Sequence, residues 1–193
     1  MNAINVEKRD FSIKAKQLRR SGMIPGSIFG GPLPDAISIQ MEEGVAFKLL
    51  RRKREGSKLN LELDGQLIPV QLKEKMINTL SNEILDISFQ ALKADKKVNS
   101  VIHIVLKNTE VITESLEVML LEIPYAALPE DMIDTITIDV NGMGIGSIIT
   151  VGDIPELASE KIELQVDKEE IVLRIRDKNA VARNAIEQEA AQA

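Results

Sequence analysis

Cysteine and tryptophan are absent from the 193 residues, and histidine and tyrosine each occur once. Without cysteine there is no disulfide, no thiolate nucleophile and no cysteine-ligated zinc, which fits a reducing compartment. The single histidine, His103, cannot by itself complete a triad or a common zinc site. It sits in VIHIVL between two isoleucines, where a structural or surface role is expected. No apolar run approaches the roughly 20 residues that span a bilayer, and MNAINVEKRD lacks the apolar stretch of a secretory signal. The expected address is the cytoplasm, with no membrane partner. There is also no GxxxxGK[ST] loop to cradle phosphates. Glycines 142, 144 and 146 are spaced GxGxG and lead into the alternating stretch SIITV, so they predict a turn before a strand and not a dinucleotide site. The neighbouring carboxylates Glu42–Glu43 and Glu169–Glu170 diverge in space and read as solvated surface. No cofactor, metal, small-molecule substrate or catalytic step is expected.

What is present is enough apolar matter for packed cores. The hydrophobic fraction is 44%, carried mainly by Ile, Leu and Val. The length suits two small domains. Charge divides the same way: residues 1–97 hold 17 Lys+Arg against 12 Asp+Glu, a net of +5, whereas residues 98–193 hold 7 against 18, a net of −11. A basic module that binds polyanions, followed by an acidic one that does not, accounts for this asymmetry.

The first half reads as a small mixed module. INVEK opens as a strand, and Ser12 is positioned to cap a short helix running to Arg20, with Ser21-Gly22 as its stop. Strands at 24–30 and 36–40 flank the turn GGPLPD. A helix over 42–54 has Val45, Ala46, Leu49 and Leu50 at helical spacing, acids at its start and Arg51 to Arg54 at its end, as the helix dipole prefers. LNLELDGQLIPVQL alternates on both sides of Asp64-Gly65, the mark of a tight hairpin. Leu85, Ile87 and Phe89 then alternate in a further strand. The polar stretch 93–99 marks the boundary. From Val101 onward only strands are expected, in VIHIVL, SLEVMLLEI, TITIDV, SIITV, IELQV and EIVLRIR, as in an all-β barrel or sandwich. The predicted domains are 1–94, 95–177 and a flexible tail, 178–193.

The stretch KAKQLRRSGMIPGSIFGG carries the chemistry. On a helix, Lys16, Arg19 and Arg20 share one face, with Lys14 toward the other side. Residues 8–58 hold 12 bases and 5 acids, and their cations are expected to share a surface. Each phosphate neutralised by such a surface releases counterions, and Arg suits bidentate phosphate contacts. The basic half has only Phe11, Phe29, Phe47 and Phe89 for stacking, so folded RNA, read by shape and 2′-hydroxyls, fits better than a single strand.

INVEKRD, KAKQLRRSGMIPGSIFGG, LDISFQAL and LPEDMIDTITIDVNGMGIGSIITVGDIP, in this order, resemble the bacterial large-subunit ribosomal protein twenty-five family in its long, two-domain, Ctc-type form. The match covers about residues 3–176. The resemblance implies a mainly β protein: an N-terminal β-barrel-like domain that binds 5S ribosomal RNA through the minor groove of its loop E region, and a C-terminal all-β domain. It implies neighbouring large-subunit ribosomal proteins as further partners, with a monomer off the ribosome. The RNA-binding positions it implies, with the helix cations added, are Arg9, Lys14, Lys16, Arg19, Arg20, Phe29, Lys73, Lys75 and Asp86. Four residues depart from the family pattern. Phe29 stands for a tyrosine, Lys73 and Met76 for glutamines, and Asp86 for a histidine, where a carboxylate repels phosphates. The alternative is a divergent paralogue that keeps the barrel but acts through protein interaction.

Overall fold

The computed structural model describes residues 3–178, which form two units. The first takes the chain up to Ser100 together with the segment Ala127–Asp134, and the second takes Val101–Ala126 and the chain from Thr135 on. Only the first residue of the predicted tail, Lys178, falls among the described residues.

In the first unit β1 (Ile4–Lys8), α1 (Ala15–Arg20), β2 (Met23–Phe29), β3 (Ile37–Glu42), α2 (Glu43–Arg52), β4 (Lys58–Leu63), β5 (Gln66–Ile77) and β6 (Ile84–Ala91) follow in order. The strands close into a barrel, β1-β3-β2-β6-β5-β4. The β1–β4 and β2–β6 pairs are parallel and the others antiparallel. Closure leaves no free edge, so alternation along each strand sends one set of side chains inward. That set is Val6, Ile24, Ile28, Ile39, Leu61, Leu72, Ile87 and Phe89, each at most 3% exposed. Removing one such side chain from water contributes about 1.5–3 kcal/mol. Ala46 and Leu49 of α2, which packs on β3 and β2, join this core. The hairpin at Asp64-Gly65 is as read: both residues have positive φ, 53° and 78°, and Leu63 pairs with Gln66 across a two-residue loop.

Two local readings are corrected. Ser12 does not cap α1: it lies in a tight turn, its N–H donated to Asp10 Oδ1 at 2.8 Å, and the helix begins only at Ala15, with Lys14 in the cap position. α2 stops at Arg52 because Lys53 is extended (φ −124°, ψ 139°) and its Nζ reaches Asp134 Oδ2 at 2.8 Å. Lys58 Nζ likewise donates to Pro129 O at 2.7 Å, so the segment 127–134 packs with the barrel although it lies far along the chain.

The second unit holds β8 (Ser115–Val118), β9 (Glu122–Ala127, save its last residue), β10 (Thr135–Asp139), β11 (Ile148–Thr150), β12 (Glu163–Leu164), β13 (Ile171–Arg176) and most of β7 (Val98–Lys107). These make one sheet ordered β10-β7-β9-β12 and another ordered β11-β13-β8. SLEVMLLEI is two strands, not one, and short 3₁₀ turns at Thr109–Val111, Val151–Asp153 and Pro155–Leu157 interrupt what sequence read as strands alone. Gly142 and Gly146 take positive φ, 79° and 87°, in the turns before β11. Ile102, Ile123, Tyr125, Val151, Val172 and Leu173 are fully buried. His103 is 6% exposed, with Nδ1 3.3 Å from Glu122 Oε1.

Gly26 shows how tightly the barrel wall is drawn. It pairs with Ile87 in the parallel β2–β6 seam, and a Cβ there would lie 2.5 Å from the Ile87 carbonyl oxygen. Gly26→Ala is therefore expected to destabilise the first unit by about 1–3 kcal/mol. Urea unfolding followed by a probe on the barrel checks this; an unchanged midpoint contradicts it.

Candidate nucleic-acid interface

With Ile24, Ile28, Ile87 and Phe89 committed to the interior, alternation turns Ser27 and Phe29 of β2, and Asp86, Ser88 and Gln90 of β6, to the outer wall. All five are half-buried. A bulge at Lys73 shifts the phase of β5, so that Glu74 stands opposite Ser88 and Met76 opposite Asp86. The result is a polar strip. Ser27 Oγ lies 3.3 Å from Ser88 Oγ, and the Ser88 hydroxyl donates to Asp86 Oδ2 at 3.4 Å.

Cations approach this strip from two elements. α1 packs on β2, and its Arg19 donates from Nε to Glu83 Oε1 at 2.9 Å and from a terminal nitrogen to Leu85 O at 3.4 Å. This anchors α1 to the start of β6. Arg19 is only 18% exposed and its guanidinium is partly neutralised, so it holds the helix in place more than it offers a free charge. Lys14, Lys16 and Arg20 are exposed. Arg9, just past β1, is held by a bond from its N–H to Ser38 O at 3.0 Å, and its guanidinium lies 5.7 Å from the Phe11 ring centre. Its Nε is buried without a hydrogen-bond partner, an orphan donor beside the strip.

Asp86 feels both arginines. Burial raises its carboxyl above the ordinary value of 3.8, outweighing the Ser88 hydroxyl and the charges of Arg9 and Arg19, which lower it; Glu74 raises it further. Asp10 is the converse: hydrogen bonds from Ser12 hold its carboxyl below the ordinary range.

The structure thus brings Arg9, Arg19, Phe29 and Asp86 to one wall, with Lys14, Lys16 and Arg20 on the helix beside it. Lys73 is exposed at the bulge, whereas Lys75 pairs with the inward-facing Ile87 and falls on the other side of the sheet from Asp86. Sequence reasoning missed Ser27, Ser88 and Gln90, although the alternation of ILDISFQA places 86, 88 and 90 on one face. The expectation of a single basic surface over residues 8–58 is also corrected. Lys8 pairs with Asp64 at 2.8 Å and Lys53 with Asp134, and Lys48 and Arg52 of α2 line a groove with Ile4 of β1 and Leu59 of β4. Among the described residues no group of three or more His, Asp or Glu side chains is placed to hold a metal ion.

Two family models match the chain: the Ribosomal L25p family over residues 4–89, and the C-terminal domain of ribosomal protein TL5 over residues 97–179. Among curated proteins, the large ribosomal subunit protein bL25 of Nitrosomonas europaea is 28% identical over 156 residues, covering 77% of each chain. That of Bacillus licheniformis is 26% identical over 160 residues, 80% of this chain and 76% of the relative. That of Thermoanaerobacter sp. is 24% identical over 181 residues, 91% of this chain and 89% of the relative.

The raised carboxyl of Asp86 makes a prediction about stability. Below the unfolded value near 3.8 the group is protonated in both states and carries no penalty; as pH rises through its higher folded value the penalty develops in full. Asp86→Asn is therefore expected to raise the melting temperature at neutral pH, with the gain vanishing below about pH 3.8. Thermal melts from pH 3 to 8 check this, and a gain that grows toward acid contradicts it.

Proposed function

Because the chain belongs to the bL25 family in its long, two-domain form, we propose that its first unit binds 5S ribosomal RNA through the outer wall of β2 and β6 and the helix α1. A structural, non-catalytic place on the large ribosomal subunit, in the bacterial cytoplasm, follows from the family. The observation that carries the RNA reading is the hydroxyl and amide strip Ser27–Ser88–Gln90 with the orphan Nε of Arg9 at its side.

The chemistry fits an A-form minor groove. That groove is wide and shallow and displays 2′-hydroxyls and base edges, which hydroxyl and amide groups on a rigid sheet can bond. Lys14, Lys16 and Arg20 lie where a helix flanking the groove meets phosphates, and such contacts fix register without reading sequence. Phe29 supplies an apolar ring face beside the strip, and Lys73 a further phosphate contact. Asp86 opposes this binding, since docking RNA over it removes water from a carboxylate that is already half-buried. The acidic half, net −11 over residues 98–193, is repelled by phosphate and is suited to the basic proteins that neighbour it on the subunit.

Filter binding of the full chain to 5S rRNA and to an unrelated duplex RNA, over a salt series, tests the reading. Preferential 5S binding is expected. Lys16→Ala and Arg20→Ala should each lower the log–log salt slope by about 0.7 to 0.9, and Asp86→His should tighten binding by roughly tenfold, about 1.4 kcal/mol. Equal, weak, salt-sensitive binding to both RNAs contradicts it.

A further inference from the structure

The cations of α2 form a second set: the helix packs on β3 and β2 and carries Lys48 and Arg52 away from α1 toward β1 and β4. In the order β1-β3-β2-β6-β5-β4, the β2–β6 seam that carries α1 and the strip lies three strands from the β4–β1 seam in either direction. α2 starts beside Gly22, whose carbonyl accepts the Glu43 N–H at 2.9 Å, and ends at a groove walled by Ile4 of β1 and Leu59 of β4. Lys48 and Arg52 rim that groove. Glu42 and Glu43 stand at the start of α2, between the two basic sets.

The outward arc of α2 has a distinct composition. At 100° per residue, Phe47, Arg51, Gly44, Lys48 and Arg52 occupy one continuous arc, opposite the buried Ala46 and Leu49. Phe47 is 41% exposed, and Lys48, Arg51 and Arg52 are exposed as well. Gly44 has no structural reason to be glycine: its φ is not in the left-handed region, and a Cβ there would meet nothing within 4 Å. Glycine weakens a helix, and it is useful where a ligand must approach the backbone closely. An exposed ring next to the Arg51 guanidinium, on a face with open backbone at Gly44, suits stacking on a base and bidentate phosphate contact.

We infer that the outward face of α2, through Phe47, Lys48, Arg51 and Arg52, binds a second RNA segment, so that one barrel bridges two pieces of RNA. The bridging rests on the 5S reading, whereas RNA binding by the α2 face does not. An acidic protein would be drawn to the same charges; the exposed Phe47 ring, which can stack on a base, is what favours RNA.

The test uses the full chain, with 5S rRNA immobilised by one end and a labelled 20-base-pair RNA duplex in solution. The triple variant Lys48→Ala, Arg51→Ala, Arg52→Ala should remain on 5S rRNA within twofold of the parent but capture the duplex at least tenfold less. A Lys14→Ala, Lys16→Ala, Arg20→Ala variant should instead lose 5S rRNA. Gly44→Ala should raise the melting temperature yet lower duplex capture. Direct anisotropy titration of the duplex with the parent and the α2 variant is run in parallel, so a failure to bind 5S rRNA leaves the α2 comparison readable. The inference is overturned if the α2 variant binds duplex as the parent does in that titration, if it loses 5S rRNA as the α1 variant does, or if poly-glutamate is bound in preference to the duplex.

Discussion

A sheet closed on itself has no edge, and most of what the first unit does follows from that constraint. Every strand is paired on both sides, so a one-residue slip anywhere would turn an inward apolar set outward. The inward set is branched and dense, and at Gly26 the wall is drawn so close that a methyl group would meet a neighbouring carbonyl at 2.5 Å. The outward set is thereby released from packing duty. Serines and glutamine can stand on β2 and β6 because the other face of the same strands already holds the core.

Rigidity is what suits that outer wall to the RNA recognition proposed for it. Arg19 spends its guanidinium on Glu83 and the Leu85 carbonyl, and in doing so fixes a six-residue helix that is too short to be stable alone. Lys14, Lys16 and Arg20 are then displayed at set positions, and little ordering remains to be done on binding. Asp86 runs against this scheme: a carboxylate half out of water, near two arginines yet still penalised by its surroundings. The arginines offset part of that penalty and are themselves drawn toward the strip.

Much of this was legible in the sequence. Alternation gave the strands of the first unit and the resemblance implied the barrel, while the Asp64-Gly65 turn needed only its two residues. Other features depend on distance in space. Nothing near Arg19 announces that Glu83 will neutralise it, and propensity does not reveal the turn at Asp10 and Ser12 that delays the start of the helix to Ala15. Counting charge over residues 8–58 pooled cations that the ring separates, because a one-dimensional tally carries no information on which seam a helix crosses. The segment 127–134 was read as part of the second half, and Asp134 and the Pro129 carbonyl instead bind lysines of the barrel.

The central claim is that the β2–β6 outer wall, flanked by Arg9 and α1, is the surface that meets 5S rRNA. Backbone amide chemical shifts of the isotopically labelled full chain, recorded with and without 5S rRNA, test it most directly. The account predicts the largest changes at Arg9, along α1, at Ser27 and Phe29, and from Asp86 to Gln90, with β10 and β13 little altered. Changes concentrated in the second unit, or spread evenly around all six strands of the barrel, would contradict it.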